Sequence, residues 1–476
     1  MKRVVKFFGA TGLFMATVFG GLYGYDQSFG SADGILKGFI LVNVAQALGW
    51  SLGTLFILAL GMTVPHKPIQ NGFLAGTSLL VTVLLLELGG YFAYGMGWFS
   101  CSAPLFRRFY IRESRCRQDE PFSGDFSVAA GRWRLPCRRR TRVTCTGDTL
   151  IETSNRFGAY DRERSLKCPK GNRKRVVVLG DSFLEGYLVP QSDRVTNLLE
   201  NRLETEHLNF AINGTSPINY LLTYRSVACR FDHEVVVIGL LPANDFEDYR
   251  EDRKPQLVEW PIYRPYWSGT YPNYQLRYSL SSIGQSIAGG CTSPAQLKRV
   301  IDSLYASLSL IEKLKADILY NSLVFKGLVA LSSQKVWKQG GFTKFEKFSE
   351  EEFLYLCYSL QKLVESAQGK TIVLLSIPVW YDLETLHRGH PNRLDPRLAG
   401  FCRRHRITFI PLIPYFQKYK GDLHRIFPEC DGHWSKEGER FVADILARHP
   451  AYRQALGQPE VRKWEDLRPP AVWAVR

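Results

Sequence analysis

At 476 residues the chain can hold two or three domains of about 150 residues each and a sizeable core. It carries 61 Lys and Arg against 45 Asp and Glu, a net charge of +16, so a phosphate-binding surface is possible in principle. No nucleic-acid-binding motif accompanies that charge, and no nucleic-acid partner is expected. The averages hide a split: residues 7–98 are mostly apolar, and nearly all the charged residues follow residue 100.

Three stretches in the apolar part reach the roughly 20 residues that a bilayer crossing needs: 7–25, 35–64 and 72–98. The first, behind Lys2, Arg3 and Lys6, could also begin as a signal peptide, but no clean small-x-small site follows it. Gly20/Gly24, Gly49/Gly53 and Gly72/Gly76 have the spacing of close helix packing, which glycine's frequency in membrane helices also explains. Glu87 lies inside the third stretch, where a carboxylate is either functional or paired with Asn43 or Gln46 of the second.

With the N-terminus inside, Lys2, Arg3, Lys6 and Lys67 are cytoplasmic, and three spans put the rest of the chain outside. Arg107, Arg108, Arg112, Arg115 and Arg117 run against that orientation, although long domains translocate largely regardless of charge. All ten cysteines fall between Cys101 and Cys430, an even number suited to an oxidising compartment. Cys402–Cys430 and pairs among Cys137, Cys145 and Cys168 are the disulfides to look for. The reading is a multi-pass protein of a bacterial cytoplasmic membrane with an extracytoplasmic domain.

Residues 101–170 are Arg-rich and lack apolar periodicity, so they read as a basic connector. Clusters at Arg107–Arg117, Arg132–Arg142 and Arg162–Arg175 suit anionic lipid headgroups or an acidic glycan, or are a solvated surface. Beyond them, five short apolar runs read as buried parallel strands: 175–179, 208–212, 234–240, 371–377 and 407–412. Helical patterns separate them. Val195, Leu198, Leu199 and Leu203 share one face behind a Ser192/Asp193 cap, and Val442, Ile445 and Leu446 do the same near the end. Alternating strands and helices predict an α/β domain over 171–450, a flavodoxin-like doubly wound parallel sheet with sites at the carboxyl ends of its strands.

A long insertion, about 247–370, interrupts that pattern, and a tail follows over 451–476. It opens on Trp260-Pro-Ile-Tyr-Arg-Pro-Tyr-Trp267, with Tyr271 and Tyr274 beyond, aromatics suited either to stacking on sugar rings or to pinning their own loop. Leu297, Ile301, Leu304, Leu308 and Ile311 make one helical face, for packing at home or against a partner helix. Ser349 and Glu352 form a capping box ahead of Phe353, Leu356, Leu360 and Leu363.

The chemistry concentrates where the first strand ends, in Gly180-Asp181-Ser182. A serine hydroxyl is a weak nucleophile until a base takes its proton and a third group orients that base. Ser182 sits between a strand and a helix start, where free backbone N–H groups face the sheet rim. Gly214 follows the second strand, Asn244 ends the third, and Asp431-Gly-His-Trp-Ser-Lys-Glu-Gly438 precedes the last helix. Asp422-Leu-His424 repeats the Asp-x-His spacing without the Trp-Ser-x-x-Gly continuation. No cluster has convincing metal-ligand spacing.

On these motifs residues 150–448 resemble the SGNH/GDSL serine hydrolases, and Glu152-Thr-Ser-Asn-Arg-Phe-Gly-Ala-Tyr-Asp161 looks like the lead-in of bacterial members. The resemblance implies Ser182 as nucleophile, His433 as general base and Asp431 as its orienting acid. It also implies an oxyanion hole from the backbone N–H groups of Ser182 and Gly214 and the side chain of Asn244, with no cofactor or metal. The pair is spaced Asp-x-His here, against the family's commoner Asp-x-x-His. Three functions follow as expectations. The first is a membrane-anchored esterase acting on acylated cell-envelope or extracellular glycans. The second is an O-acetyltransferase that needs a membrane acyltransferase partner. The third is a catalytically silent binding module.

Overall fold

In the computed structural model the described residues are 2–96, 137, 139–168, 174–246, 265–278 and 343–459, with short breaks at 31–33, 37–38 and 145–146, and scattered positions between 306 and 328. The chain forms two compact units. One comprises Met1–Ser123, Gln256–Pro261 and Gln285–Gln339; the other comprises Gly124–Pro255, Ile262–Gly284 and Gly340–Arg476.

The first unit holds α1 (Lys2–Phe29), a two-stranded antiparallel pair β1 (Ile35–Leu36) and β2 (Phe39–Ile40), α2 (Leu41–Gly61) and α3 (Lys67–Gly95). Within these helices Val4–Phe29, Leu41–Gly61 and Lys67–Glu87 are long and apolar enough to cross a membrane. Two boundaries differ from those read from hydropathy. The β1–β2 pair uses residues 35–40, so the second helix starts at Leu41, and the third starts at Lys67 rather than at residue 72. Asp26, fully buried, takes the Gly34 N–H at 2.8 Å and closes the turn behind α1.

The glycine pairs do not form the tight seam. Of those six only Gly76 has a neighbour where a Cβ would sit, the Leu58 side chain at 3.5 Å. The close approach is instead Gly61 against the Phe73 ring, where a Cβ would overlap the ring. Glu87 accepts a hydrogen bond from the Ser322 hydroxyl, a partner from the long insertion that spacing within the spans does not reveal.

In the second unit β3 (Arg139–Val143) and β4 (Thr149–Thr153) pair as an antiparallel hairpin inside the stretch read as connector. After it come β5 (Arg175–Leu179), α4 (Ser182–Glu185), α5 (Val195–Leu203), β6 (Glu206–Asn209), α6 (Pro217–Ser226), β7 (Val235–Leu240) and α7 (Pro242–Asp245). A second hairpin, β8 (Pro265–Ser268) with β9 (Gln275–Tyr278), precedes α8 (Glu350–Ser366), β10 (Thr371–Ser376), β11 (Thr408–Pro411) and α9 (Lys436–Arg448).

Five strands make one parallel sheet in the order β11-β10-β7-β5-β6. That is the doubly wound flavodoxin-like order, which reverses direction between β5 and β7 and opens a crevice at their carboxyl ends. Every residue of β5 and β7 is buried, as strands covered by helices on both faces require. Strand β6 lies at 206–209 rather than 208–212, because its pairing with β5 ends at Asn209.

The helices bury the faces their periodicity marks. Val195, Leu199 and Leu203 are buried on α5, each worth about 1.5–3 kcal/mol, and Val442, Ile445 and Leu446 on α9. The cap of α5 is not Ser192 or Asp193, which lie in a 3-10 turn. Instead the Val195 N–H donates to the Glu439 carboxyl of α9 at 2.8 Å. Helix α8 starts with the Ser349/Glu352 capping box and buries Phe353, Leu356, Leu360 and Leu363.

Trp267 is buried, donates Nε1–H to Ser359 at 2.7 Å and meets the Tyr358 ring edge-on, so the β8–β9 aromatics pin their hairpin to α8. Trp260 and Leu297, Ile301, Leu304 and Leu308 lie outside the described residues; Ile311 is exposed. The Cys402–Cys430 pairing does not form. Cys402 is a buried thiol, and it, Cys137, Cys168, Cys229 and Cys357 stand outside any disulfide. Cys430 is disulfide-bonded, and Cys145 lies outside the described residues.

Candidate active site

Strand β5 delivers Gly180-Asp181-Ser182 to the sheet's carboxyl edge. Asp181 is extended and caps α4, its side chain accepting the Phe183 N–H at 3.0 Å. Ser182 is therefore the first residue of a short helix at the carboxyl end of β5.

Ser182 is buried, yet His433 reaches it across the chain, with Nε2 2.7 Å from the serine Oγ. The other ring nitrogen, Nδ1, is hydrogen-bonded to Asp431 Oδ1. A proton on Nδ1 satisfies that carboxylate and leaves Nε2 as the acceptor for the serine hydroxyl. Burial raises the Asp431 pKa, but the hydrogen bond and charge of His433, with help from the Arg142 cation, outweigh it and hold the carboxyl below its ordinary range.

The loop that carries this pair is fixed from below. Trp434 is buried and meets the Phe183 ring edge-on at 5.1 Å. Gly432 adopts a φ of +83°, a left-handed conformation that lets Asp431 and His433 turn toward each other. Ser435 caps α9 by accepting the Gly438 N–H at 3.2 Å and anchors back by donating its own N–H to Ile426. The decoy Asp422 caps a short helix at His424, and His424 lies near Glu429 instead.

Asn244 comes from α7, at the end of β7 beside β5. Its Nδ2 donates to Asp181 at 3.1 Å, which brings the amide to the Gly-Asp-Ser turn. Gly214 follows β6 with a φ of +67°, where a side chain would be strained. The preceding residue, Asn213, donates its N–H to Glu185, the last residue of α4. Of the five residues marked by the sequence, Ser182 and Asn244 thus lie in the short helices after β5 and β7, Gly214 follows β6, and Asp431 and His433 precede α9.

Sequence reasoning missed the layer behind them. Glu185 is buried and receives Arg140 Nη2 at 2.8 Å from β3. Glu152 of β4 receives Arg140 at 2.6 Å, Arg142 at 3.1 Å and Arg194 as well. Arg140 lies over the Tyr160 ring at 3.9 Å and Arg142 over the Tyr187 ring at 3.8 Å. The only sequence signal for this layer is Glu152 at the head of the lead-in motif. Among the described residues no group of His, Cys, Asp and Glu is arranged to hold a metal ion. An open cleft of about 510 Å³ between Glu346, Phe348, Arg393 and Arg397 includes none of the five residues.

No protein-family model matches this chain, and no curated protein matches it. Solved structures do. A lipase/acylhydrolase from Enterococcus faecalis is 12% identical, with 59% of this chain and 96% of that one covered and a TM-score of 0.31. A member of the lipolytic G-D-S-L family from Veillonella parvula is 14% identical over 57% of this chain and 95% of that one, with a TM-score of 0.29. A carbohydrate esterase family 2 enzyme with a carbohydrate binding domain, from Corynascus thermopiles (Myceliophthora fergusii), is 14% identical over 66% and 75%, with a TM-score of 0.29. At this distance the likeness assigns no residue a role. It is a likeness to hydrolases and acylhydrolases of the G-D-S-L type.

Proposed function

We propose that this protein is a serine esterase that acts through an acyl-enzyme on Ser182. The observation that carries the reading is the continuous hydrogen-bonded line Ser182 Oγ, His433 Nε2, His433 Nδ1, Asp431 Oδ1. In the first step Ser182 Oγ attacks the ester carbonyl while His433 Nε2 takes its proton, and Asp431 stabilises the imidazolium that forms. The backbone N–H groups of Ser182 and Gly214 and the Asn244 amide would hold the negative oxygen of the tetrahedral intermediate. His433 then returns the proton to the leaving alcohol. Water attacks the acyl-enzyme with the same histidine as base and frees the acid.

The place of this chemistry belongs to the same proposal. Three long apolar helices support membrane anchoring. Lys2, Arg3, Lys6 and Lys67 favour a cytoplasmic N-terminus, and the disulfide at Cys430 suits an oxidising compartment. The net charge of +16 favours an acidic or envelope-bound acylated glycan as the ester substrate.

The test is turnover by the full-length protein in detergent. Acid released from an acetylated glycan, abolished by Ser182→Ala, is the expected result. Acetyl gain by an added glycan acceptor, with no acid released, would replace hydrolysis by transfer. No turnover by the wild type on esters of any kind would leave a binding module.

A further inference from the structure

Beyond Ser182, Asp431 and His433, the β3–β4 hairpin sends one charged side chain toward the histidine. The Arg142 guanidinium carbon lies 3.8 Å above the centre of the Tyr187 ring. The same Tyr187 ring lies 5.0 Å from the His433 imidazole, inclined by 38°. Phe183 meets that imidazole at 5.0 Å and 39°. The His433 imidazole, hydrogen-bonded to Asp431, is thus also flanked by two aromatic rings, and one of them lies under a cation.

We infer that Arg142 is a positioning residue for the His433–Asp431 pair, acting through the Tyr187 ring. The inference rests on the esterase reading above and adds to it a residue from outside the motifs of that site.

Arg142 is an expensive residue to keep in this place. Among the described residues only its Nη2 has an ion-pair partner, Glu152 at 3.1 Å, and Nε and Nη1 are buried with no hydrogen-bond partner. Burial, followed by the charge of Arg140 on the same strand, lowers its pKa from the ordinary value, which means the charged form is disfavoured there. A residue kept only to fasten the hairpin would gain more from an apolar side chain of the same length. Its electrostatic reach explains its presence better, since the Arg142 cation is among the charges that hold Asp431 ionised.

Among the described residues the charged and titratable groups around Arg142 are few. Arg140 stands on its own strand, Glu152 on β4, Glu185 on α4, Tyr187 just beyond α4, and Asp431 on the histidine loop. Of these, Glu152 and Glu185 are already bound to Arg140. Removing the Arg142 charge therefore falls on Asp431 and on the stacked Tyr187. Without the cation the carboxyl protonates at higher pH, and the ring beside the imidazole loses its support.

The experiment follows the rate at which a fluorophosphonate probe labels the full-length protein in detergent, across pH, for the wild type, Arg142→Met, Arg142→Lys, Tyr187→Leu and the Arg142→Met/Tyr187→Leu double variant. Labelling of the wild type at Ser182 comes first, and its failure would sink the esterase reading itself. With that in hand, Arg142→Met should label roughly tenfold more slowly, a modest part of the hundredfold that a misplaced catalytic group can cost. Its acid limb should move to higher pH.

Arg142→Lys, which keeps the charge, should recover most of the rate and leave the acid limb near that of the wild type. Tyr187→Leu, which leaves the hairpin's ion pairs intact, should slow labelling in the same way even if Arg142→Met folds poorly. At pH values above the acid limb, where Asp431 is ionised in every variant, the double variant should be no slower than the slower single one, because there the two residues act in series. A rate and acid limb unchanged in both Arg142→Met and Tyr187→Leu would overturn the inference. So would two independent losses that multiply in the double variant above the acid limb.

Discussion

Asp181 and Asn244 are joined by a 3.1 Å hydrogen bond from the Asn244 amide to the Asp181 carboxylate. The same carboxylate caps α4 through the Phe183 N–H, so one side chain orients both the helix that starts at Ser182 and the proposed oxyanion donor.

Asn244→Ala should lower kcat by about a hundred- to a thousandfold while KM stays close to the wild-type value, since the role proposed for the amide is on the oxyanion and not on the bound ester. Asp181→Ala should lower kcat by about tenfold and also cost about 1 kcal/mol of stability through the lost cap. Steady-state kinetics with a chromogenic ester, paired with thermal unfolding, checks both. Asn244→Ala acting wholly on KM would remove it from the oxyanion site.

Arg140 and Glu185 bind at 2.8 Å, and Glu185 also takes the Asn213 N–H beside Gly214. Arg140→Ala leaves Glu185 buried without its cation and should destabilise the domain by about 3 kcal/mol. Adding Glu185→Gln removes the orphaned charge and should restore part of that loss. Chemical denaturation of the single and double variants measures the difference. A double variant less stable than Arg140→Ala would contradict the arrangement.

Glu439 gives the pH dependence of stability a testable sign. Burial pushes its carboxyl up to about 8, against an ordinary value of 4.5, so the folded form keeps a proton that the unfolded chain releases. Between pH 4.5 and 8 the unfolded state binds fewer protons, and stability falls as pH rises. Glu439→Gln can still accept the Val195 N–H but cannot ionise. Asp382, lifted by burial to about 7, titrates in the same window, so the informative quantity is the difference between variant and wild type. The melting temperature of Glu439→Gln should gain on the wild type steadily from pH 5 to pH 8.

Thiol reactivity follows burial. Iodoacetamide should modify the exposed Cys137 and Cys229 in the native protein, and Cys357 and Cys402 only after denaturation. Burial raises the Cys402 thiol to about 12, which leaves almost no thiolate. Cys430 should react only after reduction. Peptide mass spectrometry before and after reductant resolves the three classes.

The part of this molecule legible in its sequence is the part written in local runs. Val176–Leu179 and Val235–Leu240 are valine-rich apolar strings of strand length, and the residues just after them carry the serine and the asparagine. Asp431, His433 and Trp434 announce themselves because they sit together ahead of a well-capped helix. What stayed hidden is held by contacts between distant positions. Glu439 caps a helix 244 residues earlier in the chain, and Arg140 reaches Glu185 across 45. A string of arginines looks like a solvated connector until the carboxylates that bury it are known. The long apolar helices show the same limit, since Glu87 finds Ser322 in an insertion 235 residues away.

The central claim is that Ser182 is a nucleophile activated by His433. Its most direct measurement is a fluorophosphonate reaction on the full-length protein followed by mass mapping of the modified peptide. The account predicts one adduct on Ser182, absent in Ser182→Ala and strongly slowed in His433→Ala. An unlabelled wild-type protein, or a Ser182→Ala protein labelled as readily as the wild type, would contradict it.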